Sequence, residues 1–117
     1  GDLQWMGVRT LKNPNDLWIY QEIIFEQKPD IIIETGSRFG GSALYLAHIL
    51  DIVGNGKVIS IDTDDNIIRP THPRIEYVID SSTSEMIKSK ILILRTVIYS
   101  GSLQELMEQT EQRKKVL

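Results

Sequence analysis

An α/β fold, a Rossmann-like and mostly parallel sheet wound by helices on both sides, is predicted by three observations. The β-branched run Ile31-Ile32-Ile33 leads into Glu34-Thr35-Gly36-Ser37-Arg38-Phe39-Gly40-Gly41-Ser42, and an amphipathic segment follows. Strand, glycine turn and helix start form one βα unit. Two further strand-like runs, Lys57 to Asp62 and Ile75 to Ile79, come after turns rich in glycine and proline. In such sheets ligands bind outside the carboxyl ends of the strands, and Glu34 and Asp62 both occupy those ends.

The elements follow in order. Asn13 to Lys28 is predicted to be an entry helix, with Asn13 as cap, Pro14 at the first helical position, Asp16 in the first turn and Leu17, Tyr20 and Ile24 on one stripe. Pro29-Asp30 ends it. Ile31 to Ile33 is too short for a helix and apolar on both faces, as a strand covered by helices should be. Ser42 to about Val53 carries Ala43, Leu46, Ala47 and Leu50 at helical spacing, and Gly54-Asn55-Gly56 stops it. Lys57 to Asp62 is the second strand. Ile75 to Ile79, after the polar stretch Thr63 to Arg74, is the third. Ser82 with Glu85, and Ser102 with Glu105, read as capping boxes that start two further helices. Between them, Ile91 to Tyr99 is apolar throughout most of its length, and helix and strand compete there. Trp5, Trp18 and Tyr20 are read as core or lid aromatics.

A chain of 117 residues without an internal repeat or a linker makes one small domain, residues 1–117. Its formal charge of −3 and pI near 5.3 speak against a nucleic-acid partner, because neutralising phosphates needs a concentrated basic face. The one basic cluster, Arg113-Lys114-Lys115, suits the end of a helix. The absence of cysteine removes disulfides, thiolate metal sites and a cysteine nucleophile, and fits the cytoplasm. No apolar stretch approaches the roughly 20 residues that span a bilayer, so neither anchor nor export signal is expected.

The glycine loop narrows the ligand. Registered on the dinucleotide fingerprint, Gly36 and Gly41 put Arg38 where a glycine should meet the pyrophosphate, which disfavours a nicotinamide or flavin. No lysine follows the glycines, so the P-loop pattern fails too. Glu34 suits a cofactor bearing an ammonium and a sulfonium, the charge pattern of S-adenosylmethionine. Its carboxylate would sit on the N–H groups around Gly40 and Gly41, and its amine would face the Gly36 turn; Ser37 and Ser42, in the same loop, are further cofactor-binding candidates. Asp62, about twenty residues past the glycines, is placed for the ribose hydroxyls, with a loop cap as the alternative. Asp80 and Ser82 are candidates for the adenine edge, although Ser82 also caps a helix and Asp80 suits a turn. Arg38 either reaches a substrate or is solvated. His48, mid-helix, and His72, in a proline loop, do not form one iron site, and without Gly-x-Ser-x-Gly a hydrolase has no anchor.

The same residues resemble a known family. Trp5-Met6-Gly7, Asp16-Leu17-Trp18-Ile19-Tyr20-Gln21-Glu22, Lys28-Pro29-Asp30, Glu34-Thr35-Gly36, Gly40-Gly41-Ser42-Ala43-Leu44-Tyr45-Leu46-Ala47, Val58-Ile59-Ser60-Ile61-Asp62 and His72-Pro73-Arg74-Ile75 are similar to the cephalosporin hydroxylase and rhamnosyl O-methyltransferase group of S-adenosylmethionine-dependent enzymes. The resemblance covers the chain to about Lys90. It implies methyl transfer to a hydroxyl on a sugar, a glycolipid of lipid biosynthesis or an antibiotic-like small molecule. It also implies a divalent metal, Mg, held by a fourth-strand Asp and a later acidic pair. Those ligands have no counterpart here, because Lys115-Val116-Leu117 resembles only the lead-in to that strand. The chain is therefore expected to be the cofactor-binding half of such an enzyme, truncated before the fourth strand, or else an inactive module that uses a bare sheet edge to form a homo-oligomer.

Overall fold

The computed structural model describes residues 3–10, 14–35, 38–62, 64–79, 97–100 and 114–116. The chain opens with a small antiparallel pair, β1 (Gln4–Trp5) and β2 (Val8–Arg9). Two residues join them, Met6 at φ 50° and Gly7 at φ 83°. Positive φ at both central positions is the turn whose twist matches that of the strands it joins.

Helix α1 (Pro14–Gln27) buries Leu17, Tyr20 and Ile24, the stripe predicted for it. It ends where Lys28 turns left-handed at φ 46° and donates its N–H to the Ile24 carbonyl at 2.8 Å. The Lys28 ammonium also caps the Phe25 carbonyl at 2.9 Å. Strand β3 (Ile31–Thr35) leads through the glycine turn to α2 (Gly41–Val53). Gly54, at φ 81°, closes that helix by returning its N–H to the Leu50 carbonyl. Strands β4 (Lys57–Asp62), β5 (Ile75–Ile79), β6 (Val97–Ser100) and β7 (Lys114–Val116) complete the sheet.

The sheet order is β5-β4-β3-β6-β7, and every described pairing is parallel. The chain builds outward from β3 to β5, then returns to lay β6 on the other side of β3. This is the order of the first five strands of a doubly wound Rossmann-like sheet. Ile32 and Val58 join Leu46, Leu50 and Ile24 in the core between sheet and helices. On the opposite face Ile33 and Ile59 are buried as well. Burial on both faces explains why these strands are continuous apolar runs rather than alternating ones.

Two expectations change. The sheet has five strands rather than three or four, because the ambiguous run before Ser100 contributes β6 and the lysine-rich Lys114–Val116 contributes β7. Trp18 is not a core residue: it stands 68% exposed on α1, one position off the buried stripe. The helices predicted from Ser82 and Ser102 lie outside the described residues. Among the described residues no helix is long and apolar enough to cross a membrane.

Candidate functional site

The reversal of strand order falls between β3 and β6, and in sheets of this kind the ligand crevice lies outside the carboxyl ends of the strands at that point. The turn from β3 into α2 and the end of β4 face that crevice. Of the predicted residues, Glu34, Gly40, Gly41, Ser42 and Asp62 are described. Gly36, Ser37, Asp80 and Ser82 lie outside the described residues.

Glu34 has no exposed surface. Its Oε2 accepts the Ser42 hydroxyl at 2.6 Å and its Oε1 accepts the Ser60 hydroxyl at 3.4 Å. The carboxylate therefore lies under the turn, between β3, β4 and the start of α2. Ser42, read from the sequence as a ligand contact, spends its hydroxyl on Glu34 and is itself 3% exposed. Ser60 was missed, although a serine inside the apolar run Val58-Ile59-Ser60-Ile61 was the available signal.

Gly40 and Gly41 are also explained in part by packing. Gly40 caps α2 from a left-handed conformation, φ 88°, and a Cβ there would come within 2.6 Å of Pro70 Cδ and 3.1 Å of the Tyr77 hydroxyl. A Cβ on Gly41 would lie 2.4 Å from the Arg9 carbonyl oxygen and 2.6 Å from Thr10 Cβ. The glycines admit protein on those sides, the hairpin end on one and the 70s loop on the other.

Asp62 stands at the end of β4, where the sequence placed it. Its Oδ2 accepts the Arg38 backbone N–H and Arg69 Nη2, each at 3.1 Å, and its Oδ1 accepts the Asp64 N–H at 3.3 Å. Arg69 was not anticipated, and a lone arginine in a polar loop gives no signal of what it will meet. Its guanidinium also donates through Nε to the Arg38 carbonyl, through Nη2 to the Asp64 carbonyl at 2.9 Å, and through Nη1 to the Ile67 carbonyl at 3.5 Å. Next to it, the Tyr77 hydroxyl donates to the Pro70 carbonyl at 2.7 Å. Burial pushes the Tyr77 phenol up to about 12, with Arg69 drawing it down and Glu34 adding to the rise.

The family model described as rhamnosyl O-methyltransferase/CmcI matches residues 1–116. The chain belongs to the rhamnosyl O-methyltransferase/CmcI family. A rhamnosyl O-methyltransferase of Mycobacterium leprae is 37% identical over 116 residues, covering 97% of this chain and 50% of the relative. One from Mycobacterium tuberculosis is 33% identical over 126 residues, covering all of this chain and 51% of the relative. The chain thus spans about half the length of the curated relatives it matches. A CmcI structure in its Mg–SAM form superposes with a TM-score of 0.76 at 23% identity, over 92% of this chain and 50% of that one. A CmcI structure in its SAH form gives 0.73 at 25% identity, over 87% and 53%. The sheet order described above is thereby the order of a family fold.

Away from this crevice, the two histidines are neighbours after all. Their rings meet edge-on, 5.6 Å between centroids. His48 Nδ1 accepts the Trp5 indole N–H at 2.9 Å. His72 Nδ1 accepts the Arg74 N–H at 2.9 Å, and its Nε2 lies 2.8 Å from Asp51 Oδ2. Arg74 and His72, bonded to Asp51, hold that carboxyl below its ordinary value. With the acceptor nitrogens turned to N–H donors, the cluster ties hairpin, α2 and the β5 approach together. Among the described residues no three His, Cys, Asp or Glu side chains converge to hold a metal ion.

Proposed function

We propose that this chain is the cofactor-binding half of an S-adenosylmethionine-dependent O-methyltransferase acting in the cytoplasm on a hydroxyl of a sugar, glycolipid or antibiotic-like small molecule. The observation that carries the reading is the Asp62 carboxylate at the end of β4, next to β3 in the order β5-β4-β3-β6-β7, 3.1 Å from the backbone N–H of Arg38 in the glycine turn. A carboxylate there suits a ribose diol, which offers two hydroxyl donors. When bound, the cofactor supplies an electrophilic methyl group on a sulfonium.

The chain's own residues bind and orient. The N-terminus of α2, near Gly40, Gly41 and Ser42, offers backbone N–H groups and partial positive charge to the methionine carboxylate. Glu34 lies between β3, β4 and the start of α2, and its negative charge suits a cofactor bearing an ammonium and a sulfonium; Gly36 and Ser37 are assigned to the amine side. Asp80 and Ser82, after the third strand, are assigned to the adenine side. Relatives named rhamnosyl O-methyltransferases support a sugar hydroxyl as acceptor, and CmcI structures in SAM and SAH forms support the cofactor.

Isothermal titration with S-adenosylmethionine and with S-adenosylhomocysteine tests the reading. Saturable heat is expected, and folded protein that gives none overturns it. Asp62→Ala, if it stays folded, should weaken binding by about 1–3 kcal/mol through loss of a charge-assisted hydrogen bond.

A further inference from the structure

The Arg69 side chain is 6% exposed and its Asp62 partner 9%, so this pair is sealed from solvent. The guanidinium donates to three carbonyls and to a carboxylate oxygen, and those acceptors come from three places: the glycine turn at Arg38, the end of β4 at Asp62, and the loop itself at Asp64 and Ile67. The loop is pinned a second time where Tyr77 bonds the Pro70 carbonyl and Pro70 packs on Gly40. Residues 64–70 thus lie as a strap across the carboxyl end of β4, fastened to the turn.

Arg69 Nη2 occupies Asp62 Oδ2, an oxygen that a ribose hydroxyl would also need as its acceptor. We infer that Arg69 is an internal competitor for the ribose diol at Asp62, so that an adenosyl cofactor binds only by lifting Arg69 and the strap away from that carboxylate. The inference rests on the cofactor reading above. A latch of this kind lowers apparent affinity by the fraction of molecules that are open. If about a tenth are competent, the affinity falls about tenfold.

The test uses the 117-residue chain and S-adenosylhomocysteine. Arg69→Gln, which keeps polarity but removes the charged fork, should tighten the dissociation constant severalfold, up to about tenfold. Arg69→Lys, which keeps charge but cannot bridge the same acceptors, should fall between. Nitrogen-15 spectra of the unaltered protein give a reading that needs no variant: the sheltered Arg69 Nε–H signal should shift and lose its protection from exchange as ligand saturates. Unchanged or weaker affinity in the folded variants, or an Nε–H signal that persists unaltered at saturation, overturns the latch while leaving the cofactor reading intact. Absence of binding in the unaltered protein and in the variants alike overturns both readings.

Discussion

The Ser42 hydroxyl donates to Glu34 Oε2 at 2.6 Å, which fastens the first turn of α2 to the end of β3 through a carboxylate with no exposed surface. A buried carboxylate is tolerated only when donors surround it, because removing one leaves the desolvation cost uncompensated. Ser42→Ala should therefore destabilise the fold by about 1.5–3 kcal/mol, the range for hydrogen bonds to charged groups. Urea unfolding measures it. A midpoint equal to that of the unaltered protein would mean that Glu34 does not depend on this bond.

The glycines at the two ends of α2 differ in what surrounds them, and the difference predicts an order. Gly54→Ala adds a methyl group into open space but keeps φ at 81°, so only the left-handed penalty applies, about 1–2 kcal/mol. Gly40→Ala carries the same penalty plus the contact with Pro70 at 2.6 Å. Gly41→Ala strikes the Arg9 carbonyl oxygen at 2.4 Å, a backbone atom that can move only if the hairpin moves. Melting temperatures should fall more for Gly40→Ala and Gly41→Ala than for Gly54→Ala, and the reverse order would contradict this packing.

What was legible from the residues was periodic or local. Leu17, Tyr20 and Ile24, and likewise Ala43, Leu46, Ala47 and Leu50, stand buried because helical spacing puts each set on one stripe. Asp62 fell at a strand end because the apolar run before it has a clear close. Trp18 misled because size and aromaticity suggest a core, yet the turn angle of α1 puts it outside the stripe. Ile91 to Tyr99 was undecidable because an apolar, β-branched run satisfies both periods, and partnership with β3 selects the strand at Val97–Ser100. Arg69 and the meeting of His48 with His72 depend on the path of a loop around Pro70 and Pro73, which no short-range pattern encodes.

The Asp62–Arg69 pair should behave as a buried ion pair in a double-mutant cycle. Asp62→Ala alone strands a guanidinium that is 6% exposed, for which the cost is about 3–5 kcal/mol. Its three carbonyl partners place the effect toward the lower end. Arg69→Met together with Asp62→Ala removes both charges, so the double variant should lose less than the sum of the singles, by about 0.5–3 kcal/mol. Additive losses in urea unfolding would show that the two side chains are not coupled.

The alkaline limb of stability should report Tyr77. Its phenol, ordinarily near 10.0, is pushed up to about 12 by burial, so the folded chain holds a proton that the unfolded chain releases. The sign follows from linkage: below the ordinary value both states are protonated and stability is flat, whereas from there to about 12 the unfolded state binds fewer protons and stability falls as pH rises. Tyr77→Phe removes this contribution, leaving that of Tyr45, whose phenol burial also raises. At neutral pH the same variant loses the bond to the Pro70 carbonyl and should be less stable by about 0.5–1.5 kcal/mol. Urea midpoints on both sides of the phenol range, read with the phenolate absorbance of the folded protein, separate the two effects. A Tyr77→Phe protein whose stability falls with alkaline pH as steeply as that of the unaltered chain would place the titrating phenol elsewhere.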